Sequence, residues 1–126
     1  MRTLLFLLVL AGTGARADEM GPTFGNPSIF TEASGAAIYV SVCAGCHMPD
    51  GRGAAGAGAY PALARNERLA VASYPIDLVL HGHGAMPAFG RLLTDAQVAA
   101  VVGFIRSHLG NAYPDAPSDA DVAGAR

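Results

Sequence analysis

Cys43-Ala44-Gly45-Cys46-His47 is the stretch on which the reading of this chain turns. The pattern C-x-x-C-H is the attachment signature of a c-type haem. Two thiols separated by two residues can add to the two vinyl groups of one porphyrin, and the adjoining imidazole then lies close enough to bind the iron from one side. The same spacing also serves redox dithiols and zinc sites. A redox dithiol should follow a β-strand and open a helix, and no strand-rich segment precedes Cys43. Zinc needs a fourth ligand and usually a second closely spaced pair. The chain has two cysteines only, and its other histidines are not arranged as H-x3-5-H.

The N-terminus points the same way. Arg2 supplies a positive n-region, Leu4 to Ala11 is a short apolar run, and Ala15-Arg16-Ala17 has the small-x-small form of a signal-peptidase site. Residues 1–17 are therefore expected to be a cleaved signal peptide, since the run is well short of the roughly 20 residues needed to cross a bilayer. The mature protein should be exported to the periplasm, without a membrane span, and thioether bonds would account for both cysteines in that oxidising compartment. Cleavage leaves 109 of the 126 residues. A packed part of roughly 80 residues is marginal as a lone hydrophobic core. With no Trp and 7% aromatic residues, the chain would rely on a porphyrin for its apolar centre.

All ten acidic residues follow Ala17, whereas Arg2 and Arg16 leave with the leader, so six basic residues face ten acidic ones and the mature net charge is −4. There is no lysine, and the arginines are scattered singly. That argues against nucleic-acid binding, which shows a clustered basic patch. A partner surface is expected to be apolar or mixed.

Residues 18–30, with Gly21, Pro22, Gly25, Asn26 and Pro27, read as an extended arm. Thr31 is the expected N-cap of a first helix whose face is Ala36, Tyr39, Val40 and Cys43, with Gly35 inside it. The Gly- and Ala-rich stretch from Asp50 to Ala59 forbids a stable helix or strand, so it reads as a loop wrapped over one haem edge. A short helical segment is expected around 66–73 and a third helix over 76–81, after Pro75 and ending at Gly82. Thr94 and Gln97 form a capping box, and Val98, Val101, Val102, Ile105 and Leu109 make the apolar stripe of a last helix stopped by Gly110-Asn111 and Pro114. Residues 112–126 read as a disordered tail rich in Ala, Asp and Pro.

The iron's other face decides the chemistry. Met86 sits in a Gly-rich loop directly before Pro87, which sets an extended backbone there, and it is the preferred axial ligand. His81 and His83 are rivals whose commoner reading is a surface or propionate-contacting histidine. Met48 adjoins His47 and cannot reach the opposite face of the ring, and His108 reads as structural near a helix C-terminus.

Across residues 31–111 the chain resembles a class I cytochrome c: an early C-x-x-C-H, Pro61 and Leu63 after the loop, Met86-Pro87, and a terminal helix. The resemblance implies an all-α fold of about four helices and Gly-rich loops around one covalent haem c. It also implies a crossing of Gly35 and Tyr39 with Phe104, a His47 hydrogen bond to the Pro61 carbonyl, and Leu63 packed on the haem. The stretches Gly82 to Phe89 and Leu93 to Arg106 are similar to cytochrome subunits that serve bacterial periplasmic dehydrogenases. The function so implied is an electron carrier, not an enzyme, taking single electrons from a periplasmic dehydrogenase toward a terminal oxidase or another cytochrome. The alternative is a haem enzyme or gas sensor with an open or labile sixth position.

Overall fold

Ser34, not the expected Thr31, caps the first helix. Its hydroxyl accepts from the Ala37 N–H at 3.2 Å. The Gln97 side-chain amide donates to the carbonyls of Phe30 and Glu32 at 2.8 and 3.0 Å, which keeps the stretch before Ser34 out of the helix. The computed structural model describes residues 30–56 and 58–126. The expected leader and all but the last residue of the expected arm lie outside the described residues.

The first helix runs as α1 (Gly35–Ile38), a π-helical turn (Tyr39–Cys43) and α2 (Ala44–His47). A π turn inserts an extra residue and shifts the phase of the helix faces. Upstream of that shift the buried face is Ile38 and Tyr39, at ordinary helical spacing from Gly35 at the α4 crossing, and Ala36 and Val40, both expected inside, are exposed, Val40 to 70%.

The glycine-rich stretch is not strandless as expected. Strands β1 (Ala54–Ala55) and β2 (Ala59–Tyr60) pair antiparallel, Ala54 opposite Tyr60 and Ala55 opposite Ala59. Each is two residues long. A 3-10 turn over Glu67–Ala70 follows. Helix α3 (Ser73–His81) starts earlier than expected, with Pro75 in its first turn, where a missing N–H costs no helical bond.

Helix α4 (Asp95–Ser107) has the expected capping box, Thr94 N–H to Gln97 Oε1 at 2.9 Å and Gln97 N–H to Thr94 Oγ1 at 3.2 Å. Val98, Val101, Val102 and Ile105 are buried in the core with Leu69, Ile76 and Leu80, whereas Leu109, expected in the same stripe, lies past the end of α4 with φ 57° and is only partly buried. At the crossing of α1 with α4, a Cβ on Gly35 would collide with the Ala100 carbonyl and with Phe104. The Tyr39 and Phe104 rings lie 5.4 Å apart there.

The tail is the largest correction. Residues 112–126 are packed, not disordered, and include helix α5 (Asp119–Ala123), capped reciprocally by Ser118 and Asp121. Val122 is fully buried against the core. Composition hid this because one apolar side chain and a few polar anchors carry the docking. The main anchor is Arg106, fully buried on α4. It donates to the carbonyls of Leu69 (2.8 Å), Ala70 (2.9 Å) and Asp115, and to the Asp115 carboxylate (3.0 Å). No helix among the described residues is long and apolar enough to cross a membrane.

Candidate haem-binding site

His47 is the last residue of α2, and the chain reverses immediately after it. Met48 takes a positive φ of 65°, and its carbonyl is held by the Tyr39 hydroxyl at 2.7 Å. Gly51 donates to Met48 O and Gly53 to His47 O, both at 3.0 Å. Gly53 has φ +68°, and a Cβ there would run into the backbone of Tyr60 and Pro61. Glycine at this crossing lets Pro61 return beside His47. The His47 Nδ1 lies 2.9 Å from the Pro61 carbonyl. A carbonyl can only accept, so Nδ1 carries the proton and Nε2 keeps its lone pair for a metal. The imidazole is 8% exposed, which holds its plane as well as its tautomer.

The loop is closed by Gly51 O, which accepts from Leu63 and Ala64 N–H at 2.7 and 2.9 Å. Asn111 holds the far side, donating to Leu63 O at 2.8 Å and accepting from Asn66 N–H at 2.9 Å. Leu63 is half-buried against the core.

Met86 comes from another part of the fold. Gly82 ends α3 with φ +73°, and a Cβ there would meet the backbone of Met86 to Ala88. His83 and Met86 exchange two main-chain bonds of 3.0 Å, forming a tight loop, and Phe89 N–H returns to Val79 O at 2.8 Å. Met86 and Phe89 are partly buried against the core, as is Cys43. His81 instead turns to solvent and bonds Asp77 at 3.0 Å. His83 is exposed, and His108 stacks on Phe104 at 4.5 Å.

The donor set suits a porphyrin better than a bare ion or a reactive dithiol. Among the described residues no three His, Cys, Asp or Glu side chains converge as a metal would need. Burial, with a smaller contribution from Cys46, pushes the Cys43 thiol up to about 11. Catalytic dithiols are tuned the other way, toward the thiolate. What remains is a buried, carbonyl-anchored imidazole directly after two thiols on one helix, with a thioether on a separate loop. Sequence reasoning missed Asn111 as the tether of Leu63, and Arg106. The signal for Arg106 was its place four residues after Val102, within the apolar stripe.

The model of the family described as cytochrome c oxidase, cbb3-type, subunit III matches residues 31–105. The chain is 36% identical over 110 residues to the fructose dehydrogenase cytochrome subunit of Gluconobacter japonicus, covering 75% of this chain and 22% of that protein. It is 38% identical over 106 residues to the alcohol dehydrogenase (quinone) cytochrome c subunit of Gluconacetobacter polyoxogenes, covering 73% and 22%. A gluconate 2-dehydrogenase cytochrome c subunit of Pantoea cypripedii is 38% identical over 107 residues, covering 74% and 24%. The chain thus spans about a quarter of the length of the curated relatives it matches.

Proposed function

We infer, from the fact that this chain belongs to the c-type cytochrome family described as cytochrome c oxidase, cbb3-type, subunit III, that it passes single electrons through one covalent haem c. Cys43 and Cys46 would hold the porphyrin as thioethers, His47 would offer Nε2 to the iron, and Met86 would supply the second iron ligand. The observation that carries this reading is the 2.9 Å bond from His47 Nδ1 to the Pro61 carbonyl, beside the two cysteines. Metal-ligating histidines are oriented by such a bond from the other ring nitrogen.

When bound, the haem supplies a reversible ferric–ferrous couple. The chain does the rest. Pro61 fixes the imidazole tautomer, Leu63 and the loop before it would cover the ring, and the soft Met86 sulfur would favour ferrous iron. With His47 and Met86 both taken up by the iron, no position would be left for a substrate, and the protein would be a carrier with no catalytic cycle of its own. Cys46, Ala85, Pro87 and Ala88 are exposed and uncharged, which suits contact with an apolar or mixed partner surface.

The named relatives are cytochrome subunits of dehydrogenases. They support a dehydrogenase as donor; the reading adds a periplasmic location, an oxidase or another cytochrome as acceptor, and residues 1–17 as the export signal, from the sequence itself. The test is the visible spectrum of the exported protein, oxidised and reduced, with carbon monoxide added to the reduced form. A low-spin c-type spectrum indifferent to carbon monoxide is expected. A prompt shift would mean an open or labile sixth position and would favour the haem enzyme or gas sensor.

A further inference from the structure

The stretch between α3 and α4 carries Met86 and is tied down on two sides. On the α3 side the ties are main-chain bonds, Phe89 N–H to Val79 O at 2.8 Å and Gly90 N–H to Leu80 O at 3.2 Å. On the other side, where Leu93 is buried in the core, the hydrogen bonds come from one side chain. Arg126 donates from Nη1 to the Gly90 carbonyl, from Nη2 to the Leu93 carbonyl at 3.0 Å, and from Nε to the Asp95 carboxylate at 2.5 Å. A planar guanidinium can make all three bonds at once because its donors are fixed in a fork. The Arg126 backbone is placed by α5, whose Val122 is fully buried.

We propose that Arg126 is a positioning residue for Met86, clamping the carbonyls of Gly90 and Leu93 so that the Met86 loop stays closed over the iron. The proposal rests on the reading of Met86 as axial ligand. Fastening α5 to α4 requires only the bond to Asp95, on the first turn of α4. The two further bonds go to the loop itself. Release of Met86 requires the loop to swing away from α3 and α4. A competing ligand binds only the open fraction, so its apparent affinity rises in proportion to that fraction.

Imidazole titration of the ferric haem-loaded protein reads this directly. Loss of charge-assisted bonds in Arg126→Ala should tighten imidazole binding about tenfold. Asp95→Asn keeps both carbonyl bonds, and Arg68→Ala alters an exposed arginine on the 3-10 turn; both should stay within about twofold of the parent. In a Met86→Ala background, Arg126→Ala should add nothing. An Arg126→Ala affinity within about twofold of the parent, or an Asp95→Asn effect equal to it, overturns the clamp. If Met86→Ala itself leaves spectrum and titration unchanged, the ligand reading falls and the clamp with it. A response to Met86→Ala with none to Arg126→Ala removes the clamp alone.

Discussion

Asn111 is 7% exposed and satisfies its whole side chain internally, donating to Leu63 O and Ile105 O and accepting from Asn66 N–H. The Ile105 carbonyl is one of the groups that the end of α4 leaves without a helical partner. One amide therefore closes α4 and holds both ends of the segment that runs from Leu63 to Asn66. Asn111→Ala would leave three backbone groups without this partner, and a buried unsatisfied group costs about 1–3 kcal/mol. Denaturant unfolding of the haem-loaded protein should show a midpoint lowered accordingly, with an unchanged slope. An unchanged midpoint would mean that water replaces the amide. A stop near Gly110-Asn111 was readable, because a stop is local chemistry, although α4 already ends at Ser107. Its partners Leu63 and Asn66 lie 48 and 45 positions away, and no local pattern encodes them.

Among the elements, those announced by caps and period were legible. The Thr94–Gln97 box and the stripe from Val98 to Ile105 follow from helix geometry alone, and the structure has both. The π turn at Tyr39–Cys43 was not legible, because an extra residue in a helix leaves no mark on an apolar period until the faces are compared with burial. Nor was α5, since a segment with one buried valine carries too little apolar signal. The stretch leading to it is held by Arg106, whose charge is buried and faces the Asp115 carboxylate at the surface. The hydrogen bond from Arg106, with its positive charge, holds the Asp115 carboxyl below its ordinary range. A depressed folded value means that the stabilisation is present above the unfolded pKa and lost as pH falls through the folded one. Comparing thermal midpoints of the parent and Asp115→Asn between about pH 7 and about pH 2 should show the parent's advantage shrinking toward zero on the acid side. No difference at any pH would mean that the Asp115 carbonyl, which also accepts from Arg106 and is kept in the variant, carries the whole attachment.

At the scale of the molecule, the described core is a thin layer between α1, α3 and α4, extended on one flank by α5. Cys43, Leu63, Met86 and Phe89 pack on it without being fully covered. A chain of this size is marginal on its own apolar surface, and small domains commonly need a further crosslink or prosthetic group. The haem would bury the free sides of those residues at once, and its thioether bonds would join the first helix to whatever the porphyrin touches. Stability and electron transfer then depend on the same group. Changing both Cys43 and Cys46 to Ser removes the covalent attachment while leaving His47 and the 51–61 loop in sequence. The expected result is loss of a cooperative heat-absorption peak, with part of the far-ultraviolet helical signal retained, because α4 keeps its capping box and stripe. A sharp transition near that of the haem-loaded protein would show that the Arg106, Asn111 and Gln97 tethers fold the chain unaided. In that case the porphyrin would serve electron transfer only.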